Sequence, residues 1–238
     1  MPVLLLAQGD QAAKAILRRA VEARYGARPP ALDSLEIEFK GRARAKVGPV
    51  ATWVPMDMRA YFRFPTAMRW DFTVKPMKLP VQRGVESFDG THYHTVRGGT
   101  TKILTGEEYV RSMRLQLWGV AAIMLTPLSD MFVHLEATGH YSFIATNTKL
   151  NDAVEVFMRL DDSLDHVQVK CLNPDTSTQQ MFIIRLSEDL ASVDEFLLPA
   201  KIAVSWDDTP RFELEPVVVR SNPPIADAVF TLEGENGR

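Results

Sequence analysis

A chain of 238 residues with 24% charged side chains and a formal net charge of −3 can bury a substantial core, and it lacks the basic excess that attracts nucleic acid or an anionic membrane surface. The single cysteine, Cys171, excludes an internal disulfide, and no apolar run reaches the length of a membrane-spanning helix. The length suits one large all-β domain as well as two small ones.

The chain opens on an apolar stretch, Pro2 to Ala7, followed by Ala7-Gln8-Gly9, which has the small-x-small form of a signal cleavage site without a basic segment before it. Residues 1–9 are therefore expected to be a truncated signal-peptide remnant or a hydrophobic arm packed on the domain. Asp10 is a candidate N-cap for a helix over Gln11 to Tyr25, with Ala13, Ile16, Leu17, Ala20 and Val21 on one face and Gly26 as the stop. From Leu35 the period changes to two. Leu35, Ile37 and Phe39 alternate with Glu36, Glu38 and Lys40, and Met68, Trp70, Phe72 and Val74 alternate with Arg69, Asp71 and Thr73. Strands are also predicted over Met58–Phe64, Arg83–Phe88 and Thr91–Gly98, with Asp89-Gly90 as a hairpin tip.

Thr105 to Leu128 interrupts this run of strands. Thr105 and Glu108 have capping-box spacing, Val110, Met113, Leu117, Val120 and Met124 share a helical face, and Pro127 ends the segment. A helix so apolar must lie against a sheet or across the mouth of a cavity. Gly119 reads either as a hinge in this helix or as a C-cap. Beyond it, strands are predicted at 132–136, 140–146, 153–162, 166–172, 180–186, 198–206 and 211–219, and residues 233–238 read as a flexible tail.

No repeat, low-complexity run or Gly/Ser linker divides the chain, so residues 10–232 are expected to form a single domain. The fold class is mainly β (α+β): a half-open antiparallel β-barrel of about ten strands, covered by an N-terminal helix and an internal lid helix.

The order of motifs resembles the LolA/LolB-like lipoprotein-carrier superfamily of the bacterial envelope. The resemblance rests on Arg63-Phe64-Pro65-Thr66-Ala67-Met68-Arg69-Trp70-Asp71-Phe72, on Ser87-Phe88-Asp89-Gly90-Thr91-His92-Tyr93, on Leu125-Thr126-Pro127-Leu128 and on Val193-Asp194-Glu195-Phe196-Leu197-Leu198-Pro199. It implies an unclosed barrel capped by helices, a hydrophobic cavity and a periplasmic address. Arg42, Arg44 and Arg59 are all candidates for an arginine that ties lid to barrel, and none is singled out.

The candidate cavity lining is Phe39, Met68, Trp70, Phe72, Met113, Leu117, Trp118, Met158 and Phe212. The competing interpretation is that these residues are simply the packed core of a curled sheet. His92 and His94, at i and i+2 beside Asp89, have metal-ligand character, but a third ligand would have to come from the distant His134, His140 or His166, and they are read as a solvated strand face with no metal. Cys171 follows the inward parity of its strand and reads as a buried thiol. Asp161-Asp162 and Asp207-Asp208 read as turn acids, and Gly98-Gly99 lacks the lysine of a phosphate loop.

The expected function is a non-enzymatic periplasmic binding protein without a cofactor, holding a lipid or the acyl chain of a lipoprotein. Its expected partners are lipid or acylated protein, with envelope proteins as further candidates, and neither nucleic acid nor integration in a membrane is expected. The alternatives are an envelope interaction or sensor scaffold with a filled core, and a metal-dependent enzyme using His92 and His94.

Overall fold

The computed structural model describes residues 6–26, 29–47, 50–75, 81–193 and 196–232. Most of the apolar opening stretch, Asp194 and Glu195 of the last family-like motif, and the tail from 233 onward lie outside the described residues.

The period-two pattern that starts at Leu35 extends over two 14-residue strands, β2 (Ser34–Val47) and β3 (Val50–Arg63), longer than the sequence pattern predicts because Pro55 does not interrupt the second. Proline cannot donate to a ladder, and here Pro55 pairs with Arg42 at a position where pairing continues on both sides. A meander follows through β4 (Ala67–Val74), β5 (Gln82–Phe88), β6 (Tyr93–Arg97) and β7 (Thr100–Leu104). The second run comprises β8 (Val133–Gly139), β9 (Ser142–Asn147), β10 (Asp152–Met158), β11 (Leu164–Asn173) and β12 (Thr178–Leu186), then β15 (Ile202–Trp206) and β16 (Thr209–Ser221). The residues between β12 and β15, which the alternation does not resolve, form a separate small hairpin of β13 (Leu190–Val193) and β14 (Phe196–Pro199).

Among the described residues the main sheet has fourteen strands in the order β1-β8-β9-β10-β11-β12-β15-β16-β2-β3-β4-β5-β6-β7, against the ten or so expected. Its edge strand β1 (Gln8–Gly9) pairs parallel with β8, and Ala7 beside it is buried, so Ala7 to Gly9 are packed on the sheet. The two edges, β1 and β7, do not pair with each other: the sheet is open and is not closed into a barrel. It nevertheless curls, since the turn after β11 reaches an arginine of β6, although these strands stand at the fifth and thirteenth places of the order.

The described residues also form three α-helices: α1 (Gln11–Tyr25), α2 (Glu107–Ile123) and the single-turn α3 (Ala228–Thr231). In α1 the predicted stripe is the buried one, and Gly26, at φ 62, ends the helix. Neither predicted cap forms through its side chain. Asp10 is the N-cap of α1, but its carboxylate instead accepts the Ala137 backbone N–H at 3.2 Å, tying the helix start to β8. Gly106, not Thr105, is the N-cap of α2. The helix runs unbroken through Gly119, which is therefore not a C-cap, and ends at Ile123 before a 3-10 turn that carries Pro127.

Candidate functional site

The helices divide the inner face of the curled sheet unequally. α1 packs on β8 and β9, while α2 packs mainly on β10 and β11 and reaches β12, β4, β5 and β6 with fewer contacts. From Ser112 to Ile123 α2 is buried at all but one position, Arg114 being the exception. It is thus a central element of the core. The Trp118 indole N–H donates to the Ala145 carbonyl of β9 at 3.0 Å, and the Ser112 hydroxyl to the Leu172 carbonyl of β11 at 2.5 Å. Met113, Leu117, Trp118 and Met158 are packed in this half, and Phe39 and Met68 are buried under the sheet's middle strands.

The other half of the inner face is only partly covered. A cleft of about 660 Å³ opens there over β2, β3, β4, β5 and β16. Its apolar wall is Met56, Met58, Trp70, Phe72, Val74 and Phe212. Strand register explains why they meet: Met56 lies opposite Val74, Met58 opposite Phe72 and Ala60 opposite Trp70, so one parity of each strand faces the cleft. Gly84 lies opposite Phe72 and makes room for it, since a Cβ there would sit 2.3 Å from the ring. Trp70, Phe72 and Phe212 are therefore the three sequence-predicted lining residues that the structure brings to the cleft. Met56, Met58 and Val74 also belong to it. The parity that finds Trp70 finds them too, once β3 is allowed to run through Pro55.

One end of the cleft is charged. Glu86 of β5, Arg97 of β6, Arg211 of β16 and Asp175 of the β11–β12 turn form a ring of alternating sign. Arg97 donates to Glu86 at 2.5 Å and to Asp175 at 3.2 Å, while Arg211 bonds Asp175 and lies 3.6 Å from Glu86. Arg211 reaches the ring from a bulge: Phe212 pairs with Val204 and Pro210 with Ser205, leaving Arg211 as the extra residue. Burial alone would raise the Asp175 carboxyl, but the two arginines outweigh it and hold the group below its ordinary range. No local sequence motif announces this ring, because its four members come from distant segments.

Other arginines tie the helices down. Arg24 of α1 is buried and donates to the Ile123 carbonyl at the end of α2 and to the Leu197 carbonyl at 2.9 and 3.1 Å. Arg114 of α2 pairs with Asp152 of β10, a carboxylate only 1% exposed. The three candidates read from sequence are engaged elsewhere: Arg42 with Glu213, Arg59 with Glu38, and Arg44 near the Trp53 ring.

Two further grooves of comparable volume, about 780 and 790 Å³, follow the opposite strand parity. Lys40, Arg42, Glu213 and Glu215 line one together with Trp53, Pro55, Ile202 and Leu214, and Asp57, Arg59, Arg69 and Asp71 line the other, so charged side chains are mixed with apolar ones in the first as they are in the cleft. Cys171 is buried beside Ser112, and desolvation pushes its thiol up to about 12, which removes it as a nucleophile near neutral pH. His166 is held by Asp165 at 2.7 Å and stacks on Phe157. His92 and His94, by contrast, converge on Asp89 at the β5–β6 hairpin, on the side of the sheet opposite the cleft. Among the described residues no helix is long and apolar enough to cross a membrane.

No protein-family model and no curated protein matches this chain. Its structure is similar to those of LolA superfamily and lipoprotein-sorting proteins. A LolA superfamily protein from Nitrosomonas europaea aligns over 92% of this chain and 96% of its own, at 12% identity and a TM-score of 0.48. A candidate outer membrane lipoprotein-sorting protein domain from Vibrio parahaemolyticus aligns over 92% and 97%, at 10% identity and a TM-score of 0.46. A DUF1329 family protein from Desulfovibrio piger aligns over 93% and 98%, at 10% identity and a TM-score of 0.45. Likeness at this level transfers neither a ligand nor a site residue.

Proposed function

We propose that this protein is a non-enzymatic binding protein of the periplasm that holds a lipid, or the acyl chain of a lipoprotein, in the cleft between β2–β5 and β16. The observation that carries this reading is the wall of half-buried Trp70, Phe72 and Phe212, backed by the buried Met56 and Met58, along a space of about 660 Å³. That volume falls in the ordinary range of small-molecule pockets, and its apolar wall shares the cleft with Arg44, Gln82, Arg83 and the charged ring. Methionines beside aromatic rings suit a chain of variable length, because the thioether side chain repacks at little cost.

In this reading residues 10–232 act as one domain. Trp70, Phe72 and Phe212 touch the ligand, while Phe39, Met68, Met113, Leu117, Trp118 and Met158 are packed core residues outside the cleft lining. α2 covers the inner face from the filled half, and the charged ring of Glu86, Arg97, Asp175 and Arg211 closes the end of the cleft. Each methylene transferred from water contributes about 0.8 kcal/mol, so a chain of ordinary length offsets the cost of association.

Binding of a fluorescent fatty-acid probe tests the proposal. Phe72→Asp places an unpaired carboxylate on the apolar wall and is expected to weaken probe binding at least about tenfold, with the far-UV strand signal retained. Unchanged probe binding in this variant removes the cleft from the function.

A further inference from the structure

The hairpin joining β5 to β6 gathers three metal-ligating side chains within six residues, Asp89 to His94. Its geometry separates the two oxygens of Asp89. Oδ1 is committed to the turn, accepting the Thr91 N–H at 2.8 Å, the Thr91 hydroxyl at 2.8 Å and the His92 N–H at 2.7 Å. Oδ2 faces both imidazoles, 3.0 Å from Nε2 of His94 and 3.3 Å from Nδ1 of His92. The three ligand atoms lie within 4.8 Å of one another.

Tetrahedral coordination with bonds of about 2.0–2.2 Å places neighbouring ligand atoms roughly 3.3–3.5 Å apart. The two carboxylate–imidazole separations are already close to that edge length, so only the two rings have to approach each other. We propose that Asp89, His92 and His94 form a binding site for a divalent transition metal of the zinc type, with three protein ligands and an open fourth position.

Two imidazoles with one carboxylate favour a borderline ion over calcium or magnesium, which take oxygen ligands. The third ligand is thus the turn acid itself, three residues before His92, and not one of the distant histidines. The hairpin supplies the preorganisation: Gly90, at φ 99, lets the chain fold back, and Oδ1 keeps the carboxylate in place when Oδ2 exchanges its ring partners for an ion. His94 is nearly buried, whereas the His92 side chain is 46% exposed and leaves a way in from solvent. Thr91 Oγ1, now 2.8 Å from Nδ1 of His92, already bonds Asp89 as well, so freeing that nitrogen strands no donor.

Titration of the chelator-treated full chain with Zn²⁺ by calorimetry tests the site, with Co²⁺ absorption reporting the coordination number. The wild-type protein is expected to bind one equivalent, with the intense visible bands of four-coordinate cobalt. His92→Ala and Asp89→Asn are each expected to weaken Zn²⁺ binding at least about tenfold, and His134→Ala and His140→Ala to leave it unchanged. His92 is the more exposed ligand, so its alanine variant keeps the fold, as far-UV circular dichroism would verify. Absence of Zn²⁺ binding by the wild type, or one equivalent bound equally well by His92→Ala, overturns the assignment.

Discussion

Asp152 shows how much a single buried charge depends on its partner. With 1% of its side chain exposed, it is held by Arg114, and Arg111 reaches only to 4.0 Å. Arg114→Ala leaves the carboxylate in a dry site without its main counterion and is expected to lower stability by about 3 kcal/mol in urea unfolding. The Arg114→Ala/Asp152→Ala double variant should lose less than that, because it removes the stranded charge; an equal or larger loss would show that the pair contributes through packing alone. Neither residue is conspicuous in the sequence. A lone arginine on an apolar helix and an aspartate at a strand start each look like solvated surface, and only tertiary placement brings them together. The same holds for Arg24, whose helix position predicts a wet side chain while the fold buries it against two carbonyls. Strand parity, by contrast, made Trp70, Phe72 and Phe212 legible, since alternation alone decides which face a strand residue takes.

At the scale of the element, the strands were mostly readable and the helix ends were not. Period-two alternation located β2, β4 and β10 because each has one apolar and one polar face. β15 and β14 ran together in the sequence because two short apolar stretches are separated by only Ala200 and Lys201. The capping box at Thr105 failed because the chain enters α2 one residue later, at Gly106. Gly119 lies inside α2 against β11 and β12, where an added Cβ would stand 3.8 Å from Ile184 and 4.0 Å from Val169, an ordinary contact. Gly119→Ala is therefore expected to raise stability by roughly 0.5–1 kcal/mol through helix propensity, measured as a shift in the urea midpoint at constant slope. A loss of stability would mean that the helix packs there more tightly than these distances indicate.

For the whole molecule, the decisive feature is that fourteen strands curl without closing while the helices fill one half of the inner face. Length and alternation pointed to a large antiparallel sheet, but its curvature depends on bulges, such as the one at Arg211, that no local pattern reveals. The charged ring spans the curl and gives it a pH dependence. The folded-state pKa of Asp175 is depressed by its arginines, so its contribution is fully present above the ordinary carboxylate value of about 4 and is lost as pH falls through the depressed value. Probe release on acidification is expected to begin below about pH 4 and to be blunted in Asp175→Asn, whose ring is already weakened at neutral pH. An identical acid profile in that variant would exclude the ring as the closure.

Photo-crosslinking tests most directly whether an apolar ligand lies on one parity of β3, β4 and β16. With a fatty acid carrying a diazirine in its chain, irradiation followed by peptide mapping should place the label on peptides containing Met56, Met58, Trp70, Phe72 and Phe212. Label confined to the opposite parity, on Lys40, Arg42, Glu213 and Glu215, or spread without preference over the surface, would contradict the account.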